Sequence, residues 1–166
     1  MTMPSLRWIA CAMLCTFLAA GGERVSAQAD ATRGRAILEG KGACLRCHRV
    51  KTNGSRSAPD LTTIGALLTA DALQRVLVDP AKAMRPAVRS VRAVTRDGTV
   101  IVGRRLNEDM YTVQLIDEKE QLRSLPKSSL REFAVLATPR MPSYQDTLTP
   151  PERADLVAYL LSLKIP

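Results

Sequence analysis

Three segments of the chain carry apolar residues at the three- and four-residue spacing that is typical of amphipathic helices. They predict helices over residues 31–39 and 67–78, and a last helix that begins near Thr149. Thr69 and Thr149 are placed to cap the second and the last of these helices. Two prolines and a glutamate follow Thr149 and strengthen this start signal, because proline is favoured at the first helical position.

Between the second and the last helix, the pattern changes to the alternation of apolar and polar residues that is typical of half-buried strands. Four strands are predicted, over residues 88–95, 99–105, 111–116 and 121–125. The pair Asp97-Gly98 is a hairpin signal between the first two strands. We expect a small antiparallel β unit over about 88–125, inserted in a helical domain. Residues 128–136 fit either a short helical or an extended return.

The first 27 residues have the pattern of a signal peptide. Arg7 precedes an uncharged apolar run over residues 8–20, and Val25-Ser26-Ala27 fits the small residues before a cleavage site. The apolar run is shorter than the roughly 20 residues that a spanning helix needs, which favours cleavage over a retained N-terminal anchor. We therefore expect a signal peptide over 1–27, export to the periplasm, and one mature domain over 28–166 with no membrane span.

Cleavage after residue 27 would leave Cys44 and Cys47 as the only cysteines, and His48 is the only histidine of the chain. In the order Cys-Leu-Arg-Cys-His, these residues form the C-x-x-C-H signature of covalent haem attachment. Two thiols at this spacing can form thioethers with the two vinyl groups of one haem. The histidine that follows is then held beneath the iron as its proximal ligand. One motif predicts one covalent haem c.

Other sites also use closely spaced cysteines. A redox-active C-x-x-C pair starts a helix after a strand, and no strand is predicted before Cys44. A zinc ion takes about four ligands, and the mature chain offers no further cysteine or histidine to complete such a set. The export signal and the adjacent histidine favour haem over both of these sites and over a chance match.

The sixth iron ligand cannot be a second histidine, which leaves methionine, lysine, water or an open position. Met141 lies between two prolines ahead of the last helix, and these prolines would stiffen the loop that holds the thioether on the iron. Met84 lies in another proline-adjacent loop and is the runner-up, whereas Met110 falls at the start of a predicted strand. The prediction is iron ligation by His48 and Met141, an arrangement that favours a high reduction potential.

Five features, in their order along the chain, resemble class I c-type cytochromes: the helix with Gly34, the motif Cys44-Leu45-Arg46-Cys47-His48, Pro59-Asp60-Leu61, Met141-Pro142, and residues 155–160 of the last helix. The resemblance covers nearly all of the mature chain except the β unit. It implies a mainly α fold, the class I cytochrome c helical fold around one haem, with the small antiparallel β unit inserted before the axial methionine loop. It also implies a close contact of the first and last helices at Gly34 and Tyr159, and a Pro59 carbonyl that accepts a hydrogen bond from His48.

The β unit adds a second resemblance, carried by Asp79-Pro80, Asp97-Gly98, Gly103 and Ser128-Ser129-Leu130. With Met141-Pro142, these residues are similar to the cytochrome c domain at the C-terminus of bacterial haem-binding propeller proteins, including quinoprotein-dehydrogenase-like ones. Here the domain is expected to stand alone, so no dehydrogenase activity is expected of the chain itself.

Electron transfer is the leading functional hypothesis, because an iron with two protein ligands passes electrons without binding a substrate. The chain would be a periplasmic electron carrier or electron-transfer subunit for a dehydrogenase or a respiratory chain, and not an enzyme. The formal net charge of +8 favours an acidic-surfaced redox partner such as a periplasmic dehydrogenase or a terminal oxidase, although it also fits an ordinary solvated surface. Arg85 and Arg140 are candidates to pair with haem propionates.

Two alternatives need an open sixth position on the iron. One is a haem-based sensor or binding protein for a small gas, which Met141-Pro142 argues against. The other is catalysis such as peroxidase activity, which would use distal acid–base groups that a chain with a single histidine lacks. A nucleic-acid partner is not expected of an exported protein, whatever its basicity.

Overall fold

The computed structural model describes residues 28–164, so the predicted signal peptide over 1–27 lies outside the described residues. Residues 28–164 form five α-helices: α1 Ala31–Glu39, α2 Ile64–Leu67, α3 Ala70–Val78, α4 Pro80–Ala83 and α5 Pro150–Ser162. They also form seven strands: β1 Arg49–Val50, β2 Asn53–Gly54, β3 Val91–Thr95, β4 Val100–Glu108, β5 Thr112–Asp117, β6 Leu122–Pro126 and β7 Leu130–Val135. Within this part of the chain, no helix is long and apolar enough to cross a bilayer.

Helices α3 and α5 begin at the capping residues that the sequence indicates. Thr149 and Glu152 form a reciprocal capping box at the start of α5, in which each side chain binds the other residue's backbone N–H. The hydroxyl of Thr69 accepts a hydrogen bond from the N–H of Ala72 and caps α3. The prediction of a helix over 31–39 is confirmed, with Asp30 as its cap. The predicted helix over 67–78 instead begins after Thr69.

The helical part is built on the crossing of α1 and α5. At Gly34 the two backbones are so close that a Cβ atom would lie 2.0 Å from the carbonyl oxygen of Asp155 and 2.8 Å from the Cβ of Tyr159. Only glycine permits this approach. The core around this crossing consists of buried residues from α1, α3, α5 and the segment before α5: Leu38, Leu73, Leu77, Tyr144, Leu148, Leu156, Val157 and Leu160.

Strands β3 to β7 form one antiparallel sheet in the order β6-β5-β4-β3-β7. The edge strands β6 and β7 follow each other in the chain and are joined only by the 3-10 turn Lys127–Ser129. This connection spans at most about 14 Å, whereas the edges of a flat five-stranded sheet are about 19 Å apart. The sheet must therefore curl so that its edges approach each other at this end.

The sheet encloses a core of its own. Val91, Ile101 and Leu115 are buried at its centre, and Leu125 and Phe133 pack against them. Where the sheet begins and ends, the N–H of Leu136 donates to the carbonyl of Ser90 at 2.9 Å. The whole sheet is thus an insertion whose two ends meet, between α4 and the segment that leads to α5.

The prediction of a mainly α, class I cytochrome c helical fold is wrong. Of the described residues, 35% are helical and 26% lie in strands, and the strands form a five-stranded antiparallel sheet. The predicted β unit over 88–125 had four strands and ended at Pro126. In the structure, β7 pairs with β3 from Val91↔Val135 to Thr95↔Leu130. This fifth strand closes the sheet and lets it bury a separate core, so the sheet is a second structural unit.

Candidate haem-attachment site

The C-x-x-C-H motif follows α1 through a tight turn. Gly42 donates its N–H to the carbonyl of Ile37 at 2.8 Å, and Ala43 has a left-handed backbone with φ of 48°. Cys44 then opens the 3-10 turn Cys44–Arg46. The N–H of His48 donates to the carbonyl of Cys44 at 2.8 Å. This turn gathers both cysteines and the histidine at the C-terminal end of α1.

Both thiols of the motif are free. Cys44 is partly buried and Cys47 is exposed, and neither forms a disulfide. Burial raises the pKa of the Cys44 thiol, with a smaller opposing effect from the Tyr144 hydroxyl. Net addition of a free thiol across a vinyl double bond would place the sulfur on one carbon and the proton on the other, with no atom lost. The exposure of Cys47 leaves one side of the motif open to such a large reactant.

His48 is held in one tautomer by Pro59. The Nδ1 atom of His48 lies 2.7 Å from the carbonyl oxygen of Pro59, and a carbonyl can only accept, so Nδ1 carries the proton. The lone pair is therefore on Nε2, the atom that remains free to bind a metal. Burial lowers the pKa of His48, although the hydrogen bond to Pro59 opposes this effect. The imidazole is thus neutral at pH 7, as an iron ligand must be.

The segment that carries Pro59 wraps around the motif. The hairpin of β1 and β2 turns the chain back, and Gly54 has a positive φ of 100°. A Cβ atom on Gly54 would lie 2.2 Å from the carbonyl oxygen of His48, so glycine is required here. The N–H of Ala58 then donates to the carbonyl of Cys47 at 2.8 Å. We call residues 55–59 the proximal loop.

Met141 is partly buried and packs against the helical core, as Cys44 does. The chain after it is anchored to two other parts of the fold by Tyr144. The N–H of Tyr144 donates to the carbonyl of Leu77 on α3 at 2.7 Å, and its hydroxyl donates to the carbonyl of Gly42 at 2.7 Å. The Met141 segment is therefore tied to the turn that leads into the haem motif.

The other methionine candidates are placed differently. Met84 is partly buried after α4, and its carbonyl accepts a hydrogen bond from Arg89. Met110 is 78% exposed at the turn between β4 and β5. Of the two candidates for haem propionates, Arg85 is exposed, and Arg140 pairs with Glu118 of the sheet at 2.9 Å.

Three residues that bond to the segments carrying the candidate site were not predicted from the sequence. Of the three, only Tyr144 could have been found from the sequence, because it lies shortly after Met141-Pro142. Arg153 is buried on α5 and donates to the carbonyls of Tyr144, Gln145 and Leu148. Arg104 of β4 donates from Nε to the carbonyl of Arg56 in the proximal loop at 3.0 Å. No local pattern reveals the last two, because their partners are backbone carbonyls set by the tertiary structure.

The donor set fits a covalent haem. Two free thiols at the required spacing lie beside a neutral imidazole whose Nε2 lone pair is free, and the surroundings are apolar. Cys44 packs against the helical core together with other partly buried apolar side chains, among them Leu45, Leu61, Ile64, Leu68 and Met141. Among residues 28–164, no group of three or more His, Cys, Asp or Glu side chains could hold a metal ion. A haem iron needs no such group, since its porphyrin supplies four of its ligands.

Comparison with known proteins adds no family assignment, since no protein-family model and no curated protein matches this chain. The case for function therefore rests on the haem motif and on the geometry of residues 42–59. These residues have the spacing and geometry that are expected of a single covalent haem attachment with a histidine iron ligand.

Proposed function

We propose that this protein is a periplasmic mono-haem c-type cytochrome that carries electrons. Cys44 and Cys47 hold one haem c through thioethers, and His48 and Met141 are the iron ligands. The electrons pass to or from another redox protein, such as a periplasmic dehydrogenase or a terminal oxidase. The protein itself is a redox partner and not a stand-alone catalyst.

The observation that carries this proposal is the hydrogen bond between His48 Nδ1 and the carbonyl of Pro59. A histidine after a C-x-x-C pair could face in any direction. Here the hydrogen bond to Pro59 orients the ring of His48 and selects the tautomer with the proton on Nδ1. Such hydrogen bonds from the second ring nitrogen are characteristic of metal-bound histidines, and they make the ligand more basic towards the metal. Neither a redox disulfide nor a chance motif would require it.

Each residue of the site has a defined task. The bound haem supplies the one-electron chemistry. Cys44 and Cys47 fix it in the protein, and the proximal loop keeps His48 in one orientation. Tyr144 holds the segment of Met141 in place, and a second protein ligand would leave no open position for a substrate.

The surface around Cys47 favours an acidic partner. Arg46, Lys51 and Arg56 are exposed in the motif and in the hairpin and loop that follow it, and Cys47 is the exposed cysteine of the motif. Positive side chains around the exposed part of a redox site steer an acidic partner towards it and accelerate association at low salt. This proposal is tested by the rate of electron transfer to a partner as the ionic strength rises, which we expect to fall steeply.

Covalent attachment is the first test. The full chain is expressed in a host that matures c-type cytochromes, and the product is denatured and examined by mass spectrometry and haem staining. We expect the mass to increase by one haem, since thiol addition to a vinyl group loses no atoms. The variant with both Cys44→Ala and Cys47→Ala should retain no covalent haem, and a wild-type chain without covalent haem would refute the proposal.

The optical spectrum of the loaded protein tests the iron ligands. With His48 and Met141 bound, the oxidised protein should be low-spin and show a weak sulfur–iron band that Met141→Ala abolishes. Met84→Ala is the matched control and should keep the band. A high-spin spectrum that shifts when carbon monoxide is added would mean an open iron, and it would favour a gas-binding protein.

A further inference from the structure

One positive charge of the sheet lies beside the proximal loop. Arg104 projects from β4 and is half-buried, and its Nε donates to the carbonyl of Arg56 at 3.0 Å. In return, the side chain of Arg56 donates to the carbonyl of Glu120, in the turn between β5 and β6 of the same sheet, at 3.2 Å. The two arginines thus join the sheet and the proximal loop in both directions.

The proximal loop connects this charge to the iron ligand. Besides the bond from His48 to Pro59, the loop binds the motif through Ser55, whose N–H donates to the carbonyl of Leu45 at 3.1 Å, and through Ala58. Arg104 donates to Arg56 of this same loop, three residues before Pro59. Arg104 therefore lies on the proximal side of the site.

The charge of Arg104 is not neutralised by a carboxylate in contact with it. Asp60 is the acidic group that interacts electrostatically with Arg104, but the carboxylate of Asp60 is already paired with Arg49 at 3.0 Å. Arg56 and Arg49 add further positive charge nearby. Within residues 28–164, Arg104 forms hydrogen bonds only with backbone oxygen. A guanidinium remains charged at any pH at which the protein is folded.

We propose that the sheet raises the reduction potential of the haem through the fixed positive charge of Arg104. Reduction adds one electron and lowers the net charge of a haem iron by one, so a fixed positive charge nearby favours the reduced state. This role explains why a residue of the sheet is placed half-buried beside the proximal loop. The inference rests on the proposed function, since it needs a haem at Cys44 and Cys47.

A redox titration of the haem-loaded protein tests the proposal, with the absorbance of the haem followed against dyes of known potential. At a fixed potential near the midpoint, Arg104→Gln should raise the ratio of oxidised to reduced protein by about threefold to tenfold, as expected for a unit charge in a partly solvated site. For a one-electron couple this is a decrease of about 30 to 60 mV. Arg104→Lys keeps the charge and should restore most of the potential.

A matched control separates the local effect from net charge. Arg131→Gln removes the same charge from an exposed position on β7 and should leave the potential nearly unchanged. Arg104→Met is a second neutral variant, which keeps an unbranched apolar stem in case the glutamine variant does not fold. Equal shifts in the Arg104 and Arg131 variants, or no shift in both neutral Arg104 variants, would overturn the inference.

The same samples distinguish this failure from failure of the proposed function. If the wild type carries covalent haem and the Arg104 variants have the same reduction potential as the wild type, only the role of Arg104 is refuted. If the wild type carries no covalent haem, the proposed function and the inference both fail.

Discussion

The carboxylate of Asp155 on α5 accepts two hydrogen bonds from the guanidinium of Arg33 on α1, from Nε at 2.6 Å and from Nη2 at 2.8 Å. It also accepts the backbone N–H of Asp30 at 2.7 Å. The side chain of Asp155 is only 8% exposed. This carboxylate therefore joins α5 to both the cap and the first turn of α1, next to the crossing at Gly34.

This arrangement predicts a loss of stability in acid. The hydrogen bond from Arg33, followed by that from Asp30, holds the pKa of Asp155 below its usual value. Because the folded pKa is depressed, the stabilisation is complete above the unfolded pKa of about 4. It is lost as the pH falls through the lower, folded value. We expect Asp155→Asn to reduce the free energy of unfolding by about 2 kcal/mol at pH 7.

Urea denaturation at a series of pH values from 7 to 3 measures this effect. The difference between wild type and Asp155→Asn should be constant at neutral pH and should shrink below about pH 4. Glu39→Gln is the control, since it breaks only the exposed pair of Glu39 with Arg35 and should cost less than about 0.5 kcal/mol. A difference that persists unchanged to pH 3 would show that packing, and not the charge of Asp155, is responsible.

The close approach of α1 and α5 predicts that Gly34→Ala is strongly destabilising. The new Cβ atom would lie 2.0 Å from the backbone oxygen of Asp155, and a helix backbone cannot yield as a flexible side chain can. The two helices must separate, at a cost of about 3 kcal/mol, even though alanine favours a helix over glycine. Thermal unfolding measures this loss. Arg35→Ala, on the exposed face of α1, should change stability by less than about 0.5 kcal/mol.

Replacing Arg153 should lower the stability of the protein by an amount that does not depend on pH. Its guanidinium is buried and bonds to the carbonyls of Tyr144, Gln145 and Leu148, the segment between Met141 and α5. Arg153→Met would leave these carbonyls without their donor and should cost about 2 kcal/mol, since hydrogen bonds to charged groups are the stronger ones. Because its partners are backbone carbonyls and not carboxylates, the loss should be equal at pH 7 and pH 4.

Chemical denaturation at both pH values tests this expectation, and limited proteolysis should show faster cleavage within residues 141–149. Arg131→Met removes an exposed arginine of β7 and is the matched control, with an expected change of less than about 0.5 kcal/mol. If both variants lose equally little stability, Arg153 does not hold this segment.

Much of the helical part could be predicted from the sequence, because its signals are local. Thr149 and Glu152 cap α5 by bonds within one turn, and the spacing of apolar residues marks the buried faces of α1 and α5. The contact of Gly34 with Tyr159 and the bond from His48 to Pro59 were implied only by the resemblance to a known family, since they join residues distant along the chain.

The extent of the sheet could not be predicted, because β7 does not follow the alternation of a half-buried strand. Phe133 and Val135 pack inward, but the bulge at Val94/Thr95 changes the register before Leu130. Its place in the sheet is set by pairing with β3, some 40 residues earlier in the chain. The role of Arg104 was hidden for the same reason, since its partner in the proximal loop lies 48 positions away.

Because the two ends of the sheet meet, we expect that the helical part folds without the sheet. Ser90 and Leu136 are joined by a hydrogen bond of 2.9 Å, so a linker of two or three glycine and serine residues can replace 91–135. The two parts have separate cores, and the contacts between them include polar ones such as the pair of Arg140 with Glu118. Removing the sheet should therefore leave the crossing of α1 and α5 intact.

Hydrogen exchange of the shortened chain checks this prediction through the amides of α1 and α5, which should stay protected as in the full chain. Leu115→Asp is the matched control, because it places a charge in the core of the sheet without shortening the chain, and it should unfold β3 to β7 alone. If both changes remove the protection of α1 and α5, the two parts fold as one unit. If protection remains, the shortened chain should still take up haem but with a lower reduction potential, because it lacks Arg104.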